Sequence, residues 1–254
     1  EPILEEVEPD LVLVHGDTTT TMSAALAAFY HKLPVAHVEA GLRTHDRYFP
    51  YPEEMNRVLT DAVATYHFAP TAGARENLLR QGTSADGISV TGNTVIDALL
   101  ETAERAGPPR AGVPEGKRLV LVTAHRRENF GRPLEDICRA IRDLTDRFPD
   151  VAVVYPVHMN PNVQRTARSL LGDHERIVLT QPLPYVEFVA LIKAAHIVVT
   201  DSGGLQEEAP SLGKPVLVLR NETERPEAVE AGTVRVVGTD YDAVLEECSR
   251  LLSD

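Results

Sequence analysis

Short runs of β-branched and other apolar residues recur along this chain, and each is followed by a stretch with apolar residues at helical spacing. LVLVHG (11–16) precedes a helical pattern over 18–32, TYHFAP (65–70) precedes AGARENLLRQG, and GISVTG (87–92) precedes NTVIDALLETAERAG. PVAHVEA (34–40) is followed by a polar loop and then EEMNRVLTDAVA. A strand that is apolar throughout needs cover on both faces, and helices alternating with strands make those strands parallel. The rhythm restricts the chain to doubly wound α/β architecture.

The rhythm pauses once. GPPRAGVPEGK (107–117) is rich in glycine and proline and is the best linker candidate. After it, strands are expected at 118–124, 151–157, 176–180, 196–200, 214–219 and 233–238, enough for a complete doubly wound sheet. The first block carries only four such runs. Two Rossmann-like domains are therefore expected, 1–104 and 105–254, with the first truncated at its N-terminus. The chain starts at Glu1, inside a helical pattern, and still reads as helix at Leu252, so further material is expected at both ends.

The net charge is −13, which argues against nucleic acid as the main partner, because backbone binding needs a basic face. No apolar stretch approaches the length of a membrane span, and no leader peptide is visible. Cys138 and Cys248 fall in no metal or redox pattern, so a reducing cytoplasm is the default location.

In open α/β sheets, ligands bind beyond the carboxyl ends of the strands, so the residues at those ends carry the functional reading. Asp17 follows the first strand by one glycine. Capping the next helix is its commoner use, although Thr18 can serve there too. Glu39 ends the second strand, on the face of His37 by alternation, and Arg43 is close enough for an ion pair. THDRYFPYPEEMNR (44–57) has the profile of a functional loop. Glu53 and Glu54 suit the start of the helix that follows, and Arg57 lies one turn on from Glu53. In the second block, His125, Arg126, Arg127, Asn129 and Arg132 crowd one strand end in an otherwise acidic chain, which favours an anion site. Leu183 sits in a proline-flanked strand end that could present its backbone to a flat base. Ser202, Gly203 and Gly204 open a helix where backbone can approach phosphate, with Glu208 about a turn further on. Arg225 follows the fifth strand of this block. Together these describe an anionic ligand on the second domain and an acidic set on the first, as a phosphorylated sugar donor would require.

HGDTTTT, HVEAGLRT, PEEMNR, VTGNTVIDAL, TAHRREN, TDSGGLQEE and NETERPEA, in this order, resemble the motifs of the non-hydrolysing UDP-N-acetylglucosamine 2-epimerases. The resemblance implies a two-domain glycosyltransferase-B fold with UDP on the C-terminal domain. It also implies reversible exchange of UDP-N-acetylglucosamine and UDP-N-acetylmannosamine, by elimination and re-addition of UDP through a 2-acetamidoglucal. Carried over by motif, Asp17, Glu39 and Glu53 are the acids of proton transfer, and His125 faces the UDP with Arg126. Ser202 to Gly204 form the phosphate turn, and Glu208 holds the ribose. Arg43, Arg57, Asn129, Leu183 and Arg225 complete the expected substrate contacts. Neither cofactor nor metal is implied. A homodimer and the supply of ManNAc to cell-surface polysaccharide are. The family's opening Gly-x-Arg-Pro-Glu strand and its C-terminal helical segment have no counterpart here. Alternatives are a 2-epimerase of a diacetamido or uronic UDP-sugar, a glycosyltransferase of the same fold, and a nucleotide-sugar sensor. The latter two should lack the three facing acids.

Overall fold

A computed structural model describes residues 2–110, 112–223 and 226–253. The chain divides into two compact units, Glu1–Thr94 and Val95–Asp254.

In the first unit the strands are β1 (Val12–His15), β2 (Val35–Val38), β3 (Tyr66–Ala69) and β4 (Ile88–Val90). They pair in parallel in chain order, β1-β2-β3-β4. Its helices are α1 (Pro2–Val7), α2 (Thr19–Tyr30), α3 (Glu53–Val63) and α4 (Ala72–Arg80). The alanine-rich α2 can lie close on the sheet: Ala25 and Ala28 are fully buried and cluster with Val14 and Val35.

The second unit opens with α5 (Thr94–Arg105), whose first residue is the last of the first unit. The remaining strands are β5 (Arg118–Thr123), β6 (Val151–Pro156), β7 (Ile177–Thr180), β8 (Ala195–Thr200), β9 (Val216–Val218) and β10 (Val234–Val236). The helices are α6 (Arg132–Arg147), α7 (Pro161–Leu171), α8 (Tyr185–Ala194), α9 (Leu205–Ser211), α10 (Pro226–Glu230) and α11 (Tyr241–Ser253). The sheet order is β10-β9-β8-β5-β6-β7, all parallel. That is the Rossmann order, and it places the reversal of winding between β5 and β8.

The apolar strands are covered on both faces, as their composition demands. Val120 and Val122 of β5 pack with Leu134, Ile137 and Ile141 of α6. Leu119 and Leu121, pointing the other way, pack with Leu191 and Ile192 of α8. Cys138 and Cys248 are buried in the first of these layers, and burial pushes both thiols up to about 12.

The division between units lies before α5, not at the 104/105 boundary expected from the glycine- and proline-rich stretch. The reason is packing. Leu99, Ala103 and Ala106 cluster with Val189 and Ala190 of α8, and Lys193 donates to the carbonyls of Ala103 and Ala106. The linker composition marks the end of a docked helix.

Candidate active site

In the first unit the acids stand where neighbouring parallel strands end. His15 of β1 is in register with Val38 of β2, so Asp17 and Glu39 emerge side by side. Asp17 is not the cap of α2: Thr18 fills that role, its hydroxyl accepting from Thr21 N at 3.1 Å. The Asp17 carboxylate instead lies 3.2 Å from Nε of Arg57, and its backbone carbonyl accepts from Asn56 at 2.8 Å. Two successive residues of α3 thus hold one turn.

Glu39 lies just past β2 with φ of 69°, a left-handed conformation that costs a non-glycine residue about 1–2 kcal/mol. Its carboxylate is 3.6 Å from His15 Nε2 and accepts from Asn93 at 3.4 Å. The strand ends at Val38, so alternation does not carry through to Glu39. His37 points into the core, fully buried, while the Glu39 side chain keeps 20% exposure.

Nor does the Glu39–Arg43 ion pair form. Arg43 donates to Asp61 at 2.6 Å, to Gln81 at 2.7 Å and to its neighbour Leu42 O. Arg57 is also interior, between Asp17 and Glu54. The sequence expects both arginines to meet substrate; the structure sets both against carboxylates, with side-chain exposures of 1% and 2%. Of the two glutamates opening α3, Glu54 is buried and accepts from Thr44 N and His45 N, both at 3.1 Å, which ties the 44–52 loop to the helix. Glu53 stays half-buried on the first turn.

Beneath both turns is Asp61. It accepts from Arg43 and from Gly41 N, and its Oδ1 is 2.6 Å from His37 Nδ1. The other ring nitrogen of His37 donates to Gly16 O at 2.8 Å. Burial pushes the Asp61 carboxyl up, but the hydrogen bond and charge of His37 and the charge of Arg43 more than offset this, and its pKa is lowered. Gly41 admits no side chain: its φ is 86°, and a Cβ would sit 2.3 Å from Ala74 O.

In the second unit the reversal of winding is stitched together by side chains. The hydroxyls of Thr123 and Thr200, the last residues of β5 and β8, are 2.6 Å apart. Next comes Asp201, fully buried, whose Oδ2 accepts from His125 N and Arg126 N at 2.8 Å and from the Asn129 amide at 3.0 Å. Asn129 also donates to Leu219 O, so this expected ligand braces the strand ends.

Beside this seam is a cavity of about 300 Å³, within the range of small-molecule sites. Its lining includes Thr123, His125, Leu183, Tyr185, Ser202 and Glu208. One wall is apolar, from Leu183, Pro182 and Phe188. At one place Glu208 accepts from Tyr185 at 2.9 Å. Burial raises the Glu208 carboxyl, partly offset by that hydrogen bond, and the Tyr185 hydroxyl is pushed up to about 12 by burial and by Glu208. At another, the rings of His125 and His158 stack with centroids 5.5 Å apart. Burial lowers the pKa of His125; Asp201 opposes this, and Arg126 and His158 reinforce it. Gly204 caps α9 with an ordinary φ of −62°, and a Cβ there would meet Glu208 Oε2 only at 3.7 Å, so neither the backbone nor the space around it demands glycine. Arg225 lies outside the described residues.

The sequence profile described as UDP-N-acetylglucosamine 2-epimerase matches residues 1–254. The chain belongs to that family. The UDP-N-acetylglucosamine 2-epimerase of Escherichia coli K12 is 53% identical, the match taking in 100% of this chain and 70% of that protein. The enzyme of the same name from Bacillus subtilis is also 53% identical, with 67% of its length matched. The crystal structure of the Neisseria meningitidis UDP-GlcNAc 2-epimerase bound to UDP-GlcNAc superposes with a TM-score of 0.95 at 48% identity, over 99% of this chain and 70% of that one. The Methanocaldococcus jannaschii enzyme in complex with UDP-GlcNAc and UDP gives 0.86 at 38% identity, over 100% and 72%.

Of the motifs quoted from the sequence, HGDTTTT, HVEAGLRT, TAHRREN and TDSGGLQEE lie at strand ends, and PEEMNR opens α3. Two aspartates that the motifs do not mark as functional, Asp61 and Asp201, organise the strand ends. Asp201 carries a signal: it is the charged residue of TDSGG and directly follows an apolar strand, so a buried carboxylate there needs donors brought from elsewhere in the fold. Asp61, in the middle of α3, looks like any polar helix residue. Among the described residues, no group of three or more His, Cys, Asp or Glu side chains is placed to hold a metal ion. Among them too, no helix is long and apolar enough to cross a membrane.

Proposed function

We propose that the chain interconverts UDP-N-acetylglucosamine and UDP-N-acetylmannosamine by eliminating UDP and adding it back. The observation that carries this is the division of chemistry between the units. The second unit offers a pocket with an apolar wall for a base, the Glu208–Tyr185 pair for a ribose diol, and His125 with Ser202 for a diphosphate. The first unit offers Asp17, Glu39 and Glu53, carboxylates beyond what nucleotide binding needs.

One carboxylate takes the proton from carbon 2 as the bond from carbon 1 to the UDP oxygen breaks, leaving a carbon–carbon double bond in 2-acetamidoglucal. The electron pair leaves on the diphosphate, where His125 and the backbone N–H groups of the Gly203–Gly204 turn stabilise it. In the return step a carboxylic acid delivers a proton to the opposite face of carbon 2, and the diphosphate oxygen rejoins carbon 1. Electrons balance without a redox partner. The product would supply ManNAc units for surface polysaccharide.

Incubation with UDP-N-acetylglucosamine in deuterated water tests the reading. Deuterium at carbon 2 of both epimers, with traces of free UDP and 2-acetamidoglucal, is the expected result. Epimerisation that retains the original hydrogen would exclude this route, and exchange confined to a diacetamido or uronic UDP-sugar would move the substrate.

A further inference from the structure

We infer that Asp201 is a positioning residue that fixes the ring orientation and tautomer of His125. This rests on the reading of the pocket as the diphosphate site.

Three observations support it. First, Asp201 is fully buried, yet its two oxygens are used unequally. Oδ2 accepts three hydrogen bonds, from His125 N, Arg126 N and Asn129, while Oδ1 has no hydrogen-bonded partner and lies 3.2 Å from His125 Nδ1. A buried carboxylate oxygen without a donor is costly, and the imidazole Nδ1 is the donor at hand. Second, the same carboxylate holds the backbone amide of the histidine it faces. Main chain and ring of His125 are therefore referenced to a single group at the end of β8. Third, a face of the ring is packed: His158 stacks on it at an interplanar angle of 15°. His158 is itself fixed, its Nδ1 accepting from Asn160 N at 3.1 Å.

A small rotation of the ring from its 3.2 Å approach directs Nδ1–H at Asp201 Oδ1, and Nε2 is then the nitrogen left for ligand. Its environment includes Arg126 and Glu128 from its own segment, His158 from the end of β6, and Glu208 and Tyr185 across the cavity. Among the described residues, Asp201, and not Glu128 or Glu208, lies within ion-pair distance of the ring. When Nε2 receives a proton to face the departing diphosphate, Asp201 carries the countercharge. The arrangement is that of a carboxylate orienting a histidine whose far nitrogen does the work.

The test is isotope-labelled histidine NMR on the protein without ligand, together with Asp201→Asn. The imidazole nitrogen shifts of His125 should report the Nδ1–H tautomer in the parent. Asp201→Asn presents an amide donor to Nδ1 and should invert the tautomer to Nε2–H. It should also move the alkaline limb of the kcat profile to lower pH, and lower kcat by about tenfold or more, with KM for the UDP-sugar changed less than threefold. An Nε2–H tautomer in the parent overturns the inference, and because the parent needs no substitution this holds even if the variant does not fold. A folded Asp201→Asn with an unmoved pH profile also overturns it. The underlying reading fails separately: if His125→Asn retains full turnover while the parent tautomer is Nδ1–H, Asp201 orients His125 but the histidine takes no part in the reaction.

Discussion

Asp61 Oδ1 and His37 Nδ1 lie 2.6 Å apart, with neither side chain more than 3% exposed. Because the far nitrogen of His37 holds Gly16 O and the far oxygen of Asp61 holds Gly41 N, this one contact links the turn before Asp17 to the turn after Glu39.

Asp61→Asn removes the negative charge between His37 and Arg43 and should destabilise the protein by about 3–5 kcal/mol, as expected when one partner of a buried ion pair is lost. The pH dependence follows from a folded carboxyl lowered below its ordinary 3.8. Its contribution is fully present above the unfolded value and disappears as the pH falls through the lower folded value. Urea unfolding over a series of acidic pH values should show this loss in the parent and not in the variant. Equal acid sensitivity in both would remove Asp61 as its source.

Asp17→Asn, Glu39→Gln and Glu53→Gln each keep shape and remove basicity. Each should lower kcat by about 100-fold or more if the group transfers a proton. UDP affinity by calorimetry should stay within about threefold, because the proposed nucleotide contacts belong to the other unit. A variant that loses UDP binding together with turnover would place its residue in binding.

Glu208→Ala should weaken UDP binding by about 10- to 100-fold, equivalent to about 1.5–3 kcal/mol for hydrogen bonds to a charged acceptor. Since the carboxyl is raised above its ordinary 4.5, protonation on acidification begins at a higher pH than for an exposed glutamate. UDP affinity should therefore decline as the pH falls through that raised value, and the decline should be absent from Glu208→Ala. Calorimetric titrations at stepped pH read both effects.

Gly41→Ala forces a Cβ against Ala74 O from a backbone with φ of 86°. The chain must shift locally, at a cost of about 3 kcal/mol or more. Gly107→Ala, where nothing lies within 4 Å, is the control and should leave the thermal midpoint almost unchanged.

The parallel sheets were legible because apolar runs and helical spacing are local signals, and strand ends follow directly from them. The pocket-lining residues His125, Leu183, Ser202 and Glu208 were reachable for that reason. Partnerships were harder. Spacing offered Arg43 to Glu39, but the buried Asp61, eighteen positions away, holds it. Composition placed a linker after α5, but whether a helix docks before or after a break depends on the surface it meets, here Val189 and Ala190. Asp201 and His125 are brought together only by the β5–β8 pairing, which no local pattern encodes.

Glu39 holds its carboxylate in place with a backbone conformation that glycine would adopt without strain. At this position, then, the sturdier protein and the working one are different sequences. A laboratory selection that rewards heat resistance alone would drift from glutamate to glycine here, and would yield molecules that fold better and lack the carboxylate proposed to carry a proton.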